Sequence, residues 1–154
     1  MVPGPVWASP DALARTGAFP RPGSTAAGRT AYSTSKLATI HLVHAYARRP
    51  PAGIDAVAHN PAFVPGTGLA RNADPVSRLV VRRILPATTL TPFATSRGAA
   101  GRYLADVVLG TTKAPTGSYV DRNRVARSSG ESYDPQREAE LWDAAERLVA
   151  AYAV

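Results

Sequence analysis

The chain of 154 residues contains no cysteine, which excludes disulfides and thiolate metal sites. Lysine is nearly missing: Lys36 and Lys113 are the only two among 18 Lys and Arg side chains. Histidine is confined to His41, His44 and His59. His41 and His44 stand three apart, but no carboxylate lies at a suitable spacing from His44 on the same segment, so ordinary helix-surface histidines are expected and no metal. No apolar run approaches the roughly 18–20 residues of a membrane-spanning helix. The start, Met1-Val2-Pro3-Gly4-Pro5, lacks the basic-then-apolar order of a secretory leader. A cytoplasmic location is expected, with no membrane span.

What is present fits one globular domain: 45% apolar residues, with 14 Pro and 12 Gly forecasting many loops. The net charge is +7, a sign that can mark nucleic-acid or anionic-surface binding. Here the cations are scattered as Arg48-Arg49, Arg78, Arg82-Arg83, Arg122, Arg124 and Arg127, with no interleaved aromatics. No specific nucleic-acid partner is expected, and the excess of Arg over Lys reads as a coding bias.

The pattern along the chain places the elements. Residues 5–8 read as a short strand, and 9–29 as a loop with one turn of helix at 10–15. Residues 30–49 read as a helix, its apolar stripe Leu37, Ile40, Val43 or His44, and Ala47, stopped by Pro50-Pro51. Residues 54–59 read as a strand. Asp74-Pro75 predicts a helix start over 74–86, and Thr91-Pro92 another running to about Leu109. In the latter, Tyr103, Leu104, Val107 and Val108 form the apolar side, and Gly98 and Gly101 permit a close neighbour. Ser118-Tyr119-Val120 reads as a last strand. Asp134-Pro135 opens a final helix whose core face is Leu141, Trp142, Ala145, Leu148, Val149 and Tyr152.

One pair carries chemistry. Tyr32 and Lys36 lie four apart, one turn from each other on one helix face. An ammonium beside a phenol favours the phenolate, which suits a group that exchanges protons with an alcohol or carbonyl near neutral pH. The alternative is a surface Tyr and a surface Lys that share a turn.

The run Thr30-Ala31-Tyr32-Ser33-Thr34-Ser35-Lys36 resembles the Tyr-x-x-x-Lys motif of the short-chain dehydrogenase/reductase family. His59-Asn60-Pro61-Ala62-Phe63-Val64-Pro65-Gly66-Thr67-Gly68-Leu69 looks like the Pro-Gly segment after that family's sixth strand, in the branch with retinol dehydrogenase-like and protochlorophyllide reductase-like proteins. Gly117-Ser118-Tyr119-Val120, then Ser128-Ser129-Gly130-Glu131-Ser132-Tyr133-Asp134 and Leu141-Trp142, resemble the branch's last strand and helix. The resemblance implies an α/β fold: the C-terminal part of a Rossmann-like doubly wound parallel sheet, about three strands with flanking helices. It implies 5–8 as a strand remnant, 60–112 as substrate-side loops and helices, and 118–154 as the last strand and C-terminal helix. The implied activity is hydride transfer between NADP or NAD and a small carbonyl or alcohol. Tyr32 would be the acid/base, and Lys36 would lower its pKa and bind the nicotinamide ribose. Pro61, Ala62, Phe63, Val64 and Thr67 would face the nicotinamide carboxamide. Ala62 stands where the family has Gly, and Gly66 where many members have Thr.

The family also polarises the substrate oxygen with a Ser. Alignment puts Val6 or Trp7 there, with Ser9 the nearest substitute and Ser24 another candidate. No glycine-rich phosphate-binding turn and no Asn-Asn-Ala-Gly segment precede Tyr32, which has only 31 residues before it, whereas a dinucleotide-binding half needs roughly a hundred or more. The expectation is therefore a C-terminal part without its nucleotide-binding half. The alternative to an active oxidoreductase is a truncated, non-catalytic fragment or interaction domain that self-associates through an exposed strand edge. The Leu-, Val- and Arg-rich residues 70–95 suggest an apolar or anionic substrate.

Overall fold

A computed structural model describes residues 4–65, 94–150 and 152. The expected helix over 74–86, the Thr91-Pro92 start, Gly66 and Thr67 lie outside the described residues. In chain order the elements are α1 (Pro10–Leu13), α2 (Thr25–Ala47), β1 (Ala58–Asn60), α3 (Arg97–Val108), β2 (Tyr119–Asp121), β3 (Arg124–Ala126), a 3-10 turn (Gly130–Ser132) and α4 (Pro135–Ala150). The protein is a mixed α/β structure made of two units, Met1–Ala58 with Arg127–Val154, and His59–Ala126.

The first unit is helical. Ser9 caps α1 by accepting from the Ala12 amide, with Pro10 inside the first turn, where a missing N–H costs nothing. Ser24 caps α2 in the same way through the Ala27 amide. α2 therefore begins before Thr30 and runs through Gly28, because one glycine costs a helix only about 1 kcal/mol. Its buried stripe is Thr34, Leu37, His41 and Ala45, so of the expected stripe only Leu37 is fully buried. Residues 5–8 are not a strand. The Val6 amide donates to Thr34 Oγ1 at 3.0 Å, and its carbonyl faces the same hydroxyl at 3.3 Å. With its polar groups taken by a side chain, and Pro5 offering no N–H, this segment joins no ladder.

Asp134 caps α4, accepting from the amides of Gln136 and Arg137. α4 packs against α2 and α1, but buries Glu138 and Ala144 rather than the expected Leu141–Tyr152 face. Leu141, Ala145 and Leu148 instead line an open groove of about 490 Å³ with residues of α1 and α2. Leu148 and Val149 are more than half exposed. Three of the largest fully buried side chains in this unit are His41, Glu138 and Thr34, so its centre is polar as much as apolar.

The second unit holds a three-stranded sheet in the order β1-β2-β3. β2 and β3 pair antiparallel, Val120 opposite Val125, joined through Arg122 at φ 57. The strand expected at 54–59 is observed only at Ala58–Asn60, following a turn at Gly53 (φ 78). β3 was not expected, and with β2 it forms an antiparallel hairpin within the sheet. Val120 is fully buried. A parallel bridge joins Phe63 and Ala94. Ser96 caps α3 through the Ala99 amide, so the helix starts after the expected Thr91-Pro92. α3 buries no residue, and Leu104 and Val108 of its expected apolar side are exposed. Among the described residues a Cβ on Gly101 would meet nothing within 4 Å. Among the described residues no helix is long and apolar enough to cross a membrane.

Candidate functional site

Helix α2 turns Thr34, Leu37 and His41 inward, and the same periodicity turns Tyr32 and Lys36 outward together. The Lys36 Nζ lies 5.4 Å from the centroid of the Tyr32 ring. Tyr32 is 45% exposed. Around it, hydroxyls bond back to the helix: Ser33 Oγ to the Arg29 carbonyl at 3.1 Å, and Ser35 Oγ to the Tyr32 carbonyl at 2.8 Å. These bonds leave the helix backbone continuous under the pair. Such an arrangement positions a phenol and an ammonium on one accessible surface.

The serines have other work. Ser9 Oγ accepts from Ala12 N at 3.3 Å and Ser24 Oγ from Ala27 N at 3.1 Å. Each is a helix cap, so a hydroxyl acceptor site is already engaged at both candidates.

Pro61, Ala62, Phe63 and Val64 belong to the second unit; Thr67 lies outside the described residues. Ala62 sits at φ 65, in the left-handed region that glycine prefers. Asn60 holds this bend. Its Oδ1 accepts from Ala62 N at 3.1 Å and its Nδ2 donates to Asp121 Oδ1 at 3.0 Å. The Asn60 carbonyl accepts from Arg122 N at 2.7 Å. His59 Nε2 donates to the Arg122 carbonyl at 2.9 Å. The Asn60 clamp is not readable from sequence, because Asp121 is 61 positions away; the Asn-Pro step, a common turn opener, is the one local signal. In the same unit burial raises the Tyr119 pKa above its usual value, the Asn60 hydrogen bond lowers it, and the Asp121 charge raises it.

A second polar cluster was also hidden from the sequence. Glu138 of α4 is 1% exposed and takes His44 Nδ1 on one oxygen at 3.1 Å and Arg48 on the other. His44 Nδ1 also lies 3.0 Å from the Ser132 carbonyl, and its ring stacks on Tyr133 at 5.1 Å. His44 is thus largely buried against a carboxylate from another helix, and His41 is wholly buried; neither is the surface histidine expected. Desolvation is the main cause that lowers the His41 pKa. Among the described residues no group of three or more His, Asp or Glu is placed to hold a metal ion. No protein-family model matches the chain, and no curated protein matches it.

Proposed function

We propose that the chain is an NADP- or NAD-dependent oxidoreductase of the short-chain dehydrogenase/reductase type, with a Rossmann-like ancestry and a cytoplasmic location. The observation that carries this reading is the exposed Tyr32 with Lys36 Nζ 5.4 Å from its ring centre. Ala62 adds support: its φ of 65 is the conformation natural to the glycine of the resembled family. The Tyr32–Lys36 pair by itself fits the nicotinamide-ribose end of a dinucleotide. Lys36 would hold the ribose hydroxyls; in the second unit, the segment Pro61, Ala62, Phe63 and Val64 resembles the family's stretch that meets the carboxamide. The nicotinamide, when bound, supplies or accepts hydride. Tyr32 would pass its hydroxyl proton to a carbonyl oxygen of the small substrate, or take one from its alcohol. The sequence offers no glycine-rich turn for the pyrophosphate.

A second reading is a non-catalytic fragment or interaction domain. The helix-capping roles of Ser9 and Ser24 favour it, since both substitutes for the substrate-polarising serine are engaged. The exposed residues of β3 supply an edge for self-association.

Titration with NADPH and NADH, followed by tryptophan fluorescence and thermal stability, tests the first reading. Saturable micromolar binding, with turnover lost about a hundredfold or more in Tyr32→Phe, supports it. No binding up to millimolar cofactor overturns it for this chain and leaves the second.

A further inference from the structure

We propose that His41 is an acid-sensitive latch that holds the N-terminal segment, through Trp7, against α2. His41 is 0% exposed, and among the described residues neither ring nitrogen has a hydrogen-bond partner. Its ring meets Trp7 edge-to-face, with centroids 5.0 Å apart. The segment is also anchored by the pair of contacts between the Val6 backbone and Thr34 Oγ1. Two neighbouring contacts on α2 thus fix residues that belong to no helix or strand.

A neutral imidazole leaves one N–H donor without an acceptor here; an imidazolium leaves two and adds a buried charge, which costs more. The charged groups facing His41 come from both helices around it. From α4 and its cap, Glu138 and Asp134 attract a proton while Arg137 repels it; from α2, His44 repels it. The attraction of Glu138 is shared with His44 and Arg48, which already occupy its two oxygens. Arg137 also lies over the Trp7 indole, 5.7 Å from the ring. Protonation would therefore set a second cation against an indole that already carries one. Opening the segment exposes His41 to water and removes both penalties. Burial holds the closed-state pKa below the ordinary 6.5, so protonation and opening are coupled, and the segment is released as pH falls below that value. The inference does not depend on the oxidoreductase reading.

The test uses the full chain with Trp142→Phe, leaving Trp7 as the sole indole. Its emission is followed from neutral pH down to about pH 4.5, with far-UV circular dichroism recorded on the same samples. The expected result is a red shift below pH 6.5, with helix content retained, and no shift when His41→Leu is added. His41→Gln, also without a titrating ring, replaces Leu if that variant does not fold. The His41 ring carbon signal in NMR should titrate together with the emission. No red shift, the same shift in the His41 variants, or a shift that coincides with loss of helix would overturn the latch.

Discussion

His44 Nδ1 lies 3.1 Å from Glu138 Oε1, although 94 positions separate the two residues. The carboxylate is 1% exposed, and its second oxygen is held by Arg48. This is the polar joint between α2 and α4. A buried carboxylate is not a strong net stabiliser against an apolar replacement of the whole cluster, but deleting one member leaves the others stranded.

Glu138→Ala should therefore cost about 3 kcal/mol or more of unfolding free energy. Glu138→Gln, which keeps an oxygen for His44, should cost less. Urea unfolding curves give both values. An Ala variant within about 1 kcal/mol of the parent would show that the joint is solvated in solution rather than buried.

Thr34 performs a comparable task for the chain start. Its Oγ1 receives the Val6 amide at 3.0 Å and can donate to the Thr30 carbonyl at 2.9 Å or the Val6 carbonyl at 3.3 Å. Thr34→Val preserves the shape and removes the hydroxyl. The Val6 amide then loses its acceptor, at a cost of about 1–3 kcal/mol. Thr34→Ser should fold nearly as stably as the parent. Thermal unfolding separates the two variants, and equal melting temperatures would contradict the anchoring role.

Local signals in the sequence mark some helix ends. Asp134-Pro135 announces α4, and its carboxylate is indeed the cap. The i, i+4 spacing of Tyr32 and Lys36 brings them onto one face. The parts that escape are those decided by distant residues. The start of α2 at Thr25 depends on a Ser24 cap that Gly28 argues against, yet tertiary packing outweighs one glycine. The buried stripe of α2 includes His41 and Thr34, which hydropathy places outside, because Trp7, Val6 and α4 lie there. The β2–β3 hairpin turns through Arg122 at a positive φ without the glycine that usually signals such a turn. In the candidate site the Tyr-Lys pair is legible, whereas the capping of α1 and α2 by Ser9 and Ser24 needs the backbone around them.

Backbone geometry sets the sign of three alanine–glycine exchanges. Gly101 lies inside α3 and a Cβ there would meet nothing within 4 Å, so Gly101→Ala should stabilise by about 1 kcal/mol. Gly53 has φ 78, and Gly53→Ala should destabilise by about 1 kcal/mol or more. Ala62 is already in the left-handed region at φ 65, so Ala62→Gly should be neutral to stabilising, the relief of strain being partly offset by the freer unfolded chain. Chemical denaturation of the three variants checks the signs; Ala62→Gly losing more than about 1 kcal/mol would show that the Asn60 clamp alone does not set that bend.

Tyr119 predicts the alkaline limb of stability. Burial raises its pKa from 10.0, the hydrogen bond to Asn60 opposes that, and the Asp121 charge adds to it. Above pH 10 the unfolded chain gives up a proton that the folded chain keeps. The folded state then binds more protons, so this contribution to stability is present below pH 10 and is lost as pH rises through and beyond it. Tyr119→Phe removes the titrating hydroxyl together with its bond to Asn60. The variant should be less stable near neutral pH, and its stability should fall less steeply between about pH 9 and 11. Urea midpoints across that range, alongside the tyrosinate absorbance of the parent, make the comparison. Parallel slopes in parent and variant would place the Tyr119 hydroxyl in water and remove burial as the cause of its shift.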